Sequence, residues 1–197
     1  MKRTVLAVAA ALAAGAAWTA PQPNLVFVLA DDLGWTDLAC QGSRYYETPN
    51  IDRLAAQGVR FTHGYTCGPN CQPTRAALMS GQYGPRTGIY TVGGTDRFDT
   101  SMRPLVPVPN ARHLAPSVVT VAESLKKAGY ATAIFGKWHL GDDPEHHPSA
   151  QGFDEAVAFL GAETGDVESF VGEISHSGSP FSVACITISM ISSRTRL

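Results

Sequence analysis

The chain has 197 residues, enough for one domain with a buried core. Hydrophobic residues make up 44% and charged ones 16%, which is ordinary for a globular protein and excludes a low-complexity or disordered chain. A net charge of −2 with no basic tract excludes the electrostatic footprint of a nucleic-acid binder.

Lys2 and Arg3 open the chain as a positive segment, and Val5 to Ala17 is a nearly continuous run of small apolar residues. Small residues then offer cleavage near Ala16 or Ala20, with Pro21 disfavouring the latter. Residues 1–20 read as a secretory signal, too short for a comfortable membrane span. The expectation is a periplasmic or secreted protein with no stable span after cleavage.

Asn24 to Ala30 is an unbroken apolar run of strand length, the pattern of a strand buried on both faces in a parallel sheet. It ends in Asp31-Asp32-Leu33-Gly34, at the strand end where open α/β sheets bind ligands. Ionised carboxylates about 4 Å apart repel by roughly 4 kcal/mol at an effective dielectric near 20. A hard divalent cation with oxygen ligands relieves that repulsion, and the alternative is a solvated turn with diverging side chains.

Thr48 to Gly58 reads as a helix, with Thr48 as cap, Pro49 in the first turn, Ile51, Leu54 and Ala55 on one face, and Gly58 as a left-handed stop. Val59 to His63 alternates like a strand. A loop follows from Gly64 to Asn70. In Cys71-Gln72-Pro73-Thr74-Arg75, Pro73 then begins a short helix closed by Gly81, with Cys71 at its mouth. Free backbone N–H groups at such a helix mouth, with Arg75 one turn on, make an anion site beside the Cys71 sulfur. The alternatives are a buried structural cysteine or a Cys67–Cys71 disulfide, since export permits one.

Residues 84–116 are rich in Gly, Pro, Arg and Thr without a clear period, and read as a surface excursion of the kind that carries substrate contacts. Thr120 and Glu123 form a capping box for a helix ending at Gly129. Tyr130 to Phe135 reads as a strand that delivers Gly136-Lys137-Trp138-His139-Leu140-Gly141. Lys137 offers a compact positive charge and His139 a hydrogen bond or a proton. Trp138 reads as packing. His146 and His147 follow Asp142, Asp143 and Glu145, as a metal cluster or, on the favoured reading, an exposed loop. Strands alternating with helices give an α/β fold with a mostly parallel sheet flanked by helices. After residue 170 the chain turns serine-rich with few helix signals, and Ile186 to Ile191 could form a strand.

The run Cys71-Gln72-Pro73-Thr74-Arg75 resembles the C-x-P-[ST]-R motif of the type I sulfatases, within the alkaline-phosphatase-like superfamily. Asn24–Gly34, Thr48–Gly58, Thr120–Gly141 and Gly152-Phe153-Asp154 match in family order, so the resemblance covers residues 24–165. It implies that a separate formylglycine-generating enzyme oxidises Cys71 to an aldehyde, whose hydrate attacks the sulfur of a sulfate ester. Asp31, Asp32 and the modified residue 71 would ligate Ca²⁺, or Mg²⁺. Arg75 would stabilise the hydrate, while Lys137 and His139 would hold sulfate oxygens and neutralise developing charge. The family also continues well beyond this length, with further metal and sulfate ligands.

Residues 21–170 are therefore expected to be the N-terminal part of a sulfatase catalytic domain, incomplete at its C-terminus, with 171–197 an atypical tail. Weak metal binding by this chain is expected. A phosphonate monoester or phosphodiester hydrolase using the same aldehyde is the alternative activity, and a catalytically inactive secreted fragment the alternative outside enzymes.

Overall fold

The computed structural model describes residues 23–94, 101, 103–161 and the backbone of 183–187. The proposed signal segment and most of the 171–197 tail lie outside the described residues. Strands β1 (Leu25–Val28), β2 (Ala131–Lys137), β3 (Glu155–Phe159) and β4 (Val183–Thr187) form one sheet in the order β1-β4-β2-β3. All neighbours are parallel: Leu25 pairs with Ala184, Thr132 with Ala184 and Ala133 with Glu155. Helices α1 (Pro49–Gln57), α2 (Cys71–Ser80), α3 (Gly84–Thr87) and α4 (Val121–Lys127) complete the α/β architecture. Among the described residues, no helix is long and apolar enough to cross a membrane.

The core lies between α2, α4 and the β2 end of the sheet. Ala76, Met79, Ile89, Leu114, Ala122, Ile134, Trp138, Leu140 and Phe153 bury there together. Trp138 meets Phe153 edge to face at 6.0 Å, which confirms it as packing. The α4 capping box is formed as expected. Thr120 Oγ1 accepts from Glu123 N (3.1 Å), and Glu123 Oε2 accepts from Thr120 N (2.7 Å). The same hydroxyl donates to Gln151 O at 2.7 Å, tying the helix start to the Gly152 turn. Gly152 has φ +100, and a Cβ there would stand 2.5 Å from Glu123 N, so glycine is required for this approach.

Several local expectations fail. Val59 to His63 is not a strand but extended chain and a turn, without a sheet partner among the described residues. Thr48 does not cap α1. Its hydroxyl accepts from Ala39 N and donates to Asp52 Oδ1, both at 2.9 Å, which serves the chain crossing rather than the helix end. Gly58 ends α1 with φ −115, an extended rather than left-handed stop. The apolar face of α1 is not buried, since Leu54 is 66% exposed. β1 is a parallel strand as expected, yet Val26 is 71% exposed. β1 stands at the sheet edge, and all four of its residues are exposed. The 84–116 excursion holds a short helix and contributes two core residues, Ile89 and Leu114.

Candidate active site

Three elements deliver the candidate residues. Helix α2 begins at Cys71 itself, two positions earlier than Pro73 suggested, with Asn70 as an extended N-cap that makes no side-chain cap bond. The spacing of Cys71 and Arg75 sets both on one face of the first turn. Arg75 is 1% exposed. Its Nη1 donates to Lys137 O at 2.6 Å, and its Nη2 lies 3.5 Å from Asp31 Oδ2. Asp31, just past β1, accepts from Lys137 Nζ at 2.7 Å. A helix N-terminus and the C-terminal ends of two parallel strands thus meet at one point.

Parallel pairing continues one step past β2: Trp138 N donates to Phe159 O (2.8 Å) and His139 N to Leu160 O (3.2 Å). Those bonds carry His139 into the site with φ 63. Asp32 has φ 55, and these are the positive-φ non-glycine residues among those described. A left-handed backbone at a non-glycine position stores strain of order 1–3 kcal/mol, and such strain clusters at functional sites. Here it follows Asp31 on one side and Lys137 on the other.

The electrostatics are those of a cationic pocket around one carboxylate. Burial works against ionised Asp31, but the Lys137 hydrogen bond and the charges of Arg75 and Lys137 outweigh it and hold its pKa below the ordinary value. Burial, with Lys137 and Arg75 adding to it against Asp31, pushes His139 down to about 4. At neutral pH His139 is therefore an uncharged hydrogen-bonding group.

Arg75 Nε and His139 Nδ1 are buried without a hydrogen-bond partner among the described residues. Unsatisfied polar atoms of this kind, beside a cationic pair, mark a place built for a polar ligand. Asp32 is exposed, and Asp31 and Asp32 supply only oxygen donors, which fits a hard divalent cation.

The bonds that tie the 84–116 excursion to α2 were not legible in the sequence. Gln72, adjacent to Cys71, donates through Nε2 to Arg112 O (2.5 Å) and accepts through Oε1 from Gly93 N (3.2 Å). Asn110 Oδ1 accepts from Tyr90 N (2.6 Å) and Thr91 N (3.1 Å), and its Nδ2 donates to Thr91 O and Gly93 O. The excursion is thereby laced to the start of α2. Cys40, Cys67 and Cys71 are free thiols, so the Cys67–Cys71 bridge is not formed.

The site thus joins a parallel α/β sheet, a cysteine at a helix mouth and cations gathered at the strand ends. Residues 23–174 match the family model described as Sulfatase, and the chain belongs to that family. It is 46% identical over 153 residues to N-acetylgalactosamine-6-sulfatase of Mus musculus, covering 77% of this chain and 28% of the relative. A sulfatase of Formosa agariphila is 47% identical over 146 residues, covering 70% and 26%. Steryl-sulfatase of Mus musculus is 43% identical over 150 residues, covering 72% and 22%. Among solved structures, Ps i-CgsB in complex with k-i-k-neocarrahexaose superposes with a TM-score of 0.60 at 36% identity, covering 71% of this chain and 28% of that one. The chain spans roughly a quarter of the length of the curated relatives it matches. β4 lies beyond the residues that match the family model.

Proposed function

We propose that this chain carries the nucleophile-bearing part of an exported sulfuric ester hydrolase, acting on the sulfate monoester of an alcohol. The observation that carries the reading is the convergence of Asp31, Arg75, Lys137 and His139 around the helix mouth that begins at Cys71. A sulfated carbohydrate is the substrate class we favour. Its support is that relatives of both kinds carry carbohydrate names, an N-acetylgalactosamine-6-sulfatase among the sequences and a neocarrahexaose complex among the structures.

Cys71 is the residue for conversion to formylglycine by a separate maturation enzyme. The aldehyde supplies, as its hydrate, an oxygen nucleophile whose sulfated form collapses when the second hydroxyl loses its proton and expels sulfate, which restores the aldehyde without attack of water at sulfur. Asp31 and Asp32 would hold a divalent cation, Ca²⁺ by the hardness of its donors, which would polarise the sulfate and the residue 71 oxygen. Lys137 carries the positive charge toward sulfate, and cation binding at Asp31 would free its ammonium from the 2.7 Å bond it now makes. His139, uncharged, would donate a hydrogen bond to a sulfate or leaving-group oxygen. Arg75 is locked to the Lys137 carbonyl and to Asp31, so its part is to hold the pocket's shape and potential around residue 71.

The test is co-expression with a formylglycine-generating enzyme, peptide mass spectrometry across residue 71, and assay of the chain joined to the downstream region its relatives possess. A carbonyl in place of the thiol, with turnover of a sulfated galactosamine that Cys71→Ala abolishes, is the expected result. Faster turnover of a phosphonate monoester than of any sulfate ester would assign the chain to the other activity. A persistent thiol would overturn the nucleophile.

A further inference from the structure

On the flank of the loop that follows His139, the side chains of His113, Asp143 and His146 come together, each with a ligand atom within 4.8 Å of the others. His146 Nδ1 lies 2.7 Å from both Asp143 oxygens. His113 Nδ1 lies 3.7 Å from Asp143 Oδ2, too long for a hydrogen bond. The two imidazoles are 4.7 Å apart between centroids and tilted by 48°. We propose that His113, Asp143 and His146 form a binding site for a divalent transition ion, Zn²⁺ by chemical class, separate from the Asp31–Asp32 pair.

The spacing suits such an ion. Tetrahedral ligands with bonds of about 2.1 Å stand about 3.4 Å apart, and the observed 2.7 and 3.7 Å separations fall on either side of that. The donor chemistry points the same way. Two imidazoles and one carboxylate suit zinc-class ions, whereas calcium takes oxygen donors in larger number. A fourth position remains for water.

The frame is held by bonds independent of any ion. Asp143 Oδ1 accepts from Glu145 N (3.0 Å) and His146 N (3.1 Å). The buried Trp138 donates through Nε1 to His146 O at 2.8 Å. Leu114 N donates to Leu140 O at 3.0 Å, which docks the His113 strand of chain against the His139 loop. Gly141 lets His146 approach, since a Cβ there would fall 2.2 Å from His146 Cβ. An ion at this site would clip the excursion carrying Asn110 to the loop carrying His139.

The experiment titrates Zn²⁺ by calorimetry into the chelator-treated chain in a large excess of Ca²⁺, which occupies oxygen-donor sites. The expected result is uptake that His113→Ala and His146→Ala each weaken at least tenfold, while Asp31→Asn and Cys71→Ser leave it unchanged. His113 is 40% exposed, so its substitution tests the site even if His146→Ala fails to fold. No zinc uptake by a chain with a native circular dichroism spectrum overturns the proposal, and so does uptake that survives His113→Ala.

Discussion

Lys137 Nζ and Asp31 Oδ2 stand 2.7 Å apart although the residues are separated by 106 positions and their strands are not neighbours in the sheet. The ammonium spans the width of β4 to reach the carboxylate beyond the far strand. One contact therefore reports whether both strand ends, and the strand between them, are in place.

Asp31→Asn leaves Lys137 and Arg75 buried without a charge partner. Removing one member of a buried ionic group costs about 3–5 kcal/mol. Urea denaturation of the metal-free chain should show that loss, whereas Asp32→Asn, at an exposed side chain, should leave the midpoint unchanged. Equal midpoints for the two variants would show that the pair contributes nothing.

His139 gives the stability a pH dependence. Its folded-state pKa of about 4 lies below the ordinary 6.5, so the unfolded chain binds the extra proton between those values. Stability is then full above pH 6.5 and falls as pH drops toward 4, by about 3 kcal/mol for a depression of this size. In His139→Gln the slope across that window should flatten, as measured by denaturant midpoints at several pH values. An unchanged slope would place the titration elsewhere.

Thr120 and Gly152 fix the α4 start from both sides. Thr120→Ala loses the cap and the bond to Gln151 O and should cost about 1–2 kcal/mol. Gly152→Ala meets Glu123 N at 2.5 Å with φ +100 and should cost about 2–4 kcal/mol. Thermal unfolding should rank the two in that order.

Asn110 should govern the local order of the excursion more than global stability. Asn110→Ala removes acceptors for Tyr90 N and Thr91 N, and amide exchange at those positions should quicken about tenfold, a loss of about 1.4 kcal/mol in local opening. Protection in β2 should stay as it is.

Elements with a local cause were readable in advance. The capping box of Thr120 and Glu123 is a bond between residues three apart, and the β2 run carries its own apolar pattern, so sequence alone placed both. The motif around Cys71 was equally local. What escaped depends on partners far along the chain. Thr48 looked like a cap until Ala39 competed for its hydroxyl. Val59 to His63 had the alternation of a strand but pairs with no strand among the described residues. His113 lies thirty positions before Asp143, so no spacing rule could unite them, and the depression of the His139 pKa arises from burial and neighbours that only the fold assembles. Of the expected strand at Ile186 to Ile191, Ile186 and Thr187 belong to β4, and the rest lies outside the described residues.

That last strand sets the order of assembly. Among the described residues β4 is the sheet neighbour of β1 and sits between β1 and β2, so Leu25 waits for Ala184 before it has a strand partner there. Ribosomal synthesis delivers the apolar Leu25–Val28 segment long before the strand that pairs with it. Pairings of such long range form slowly, and an unpaired apolar strand is an aggregation hazard while it waits.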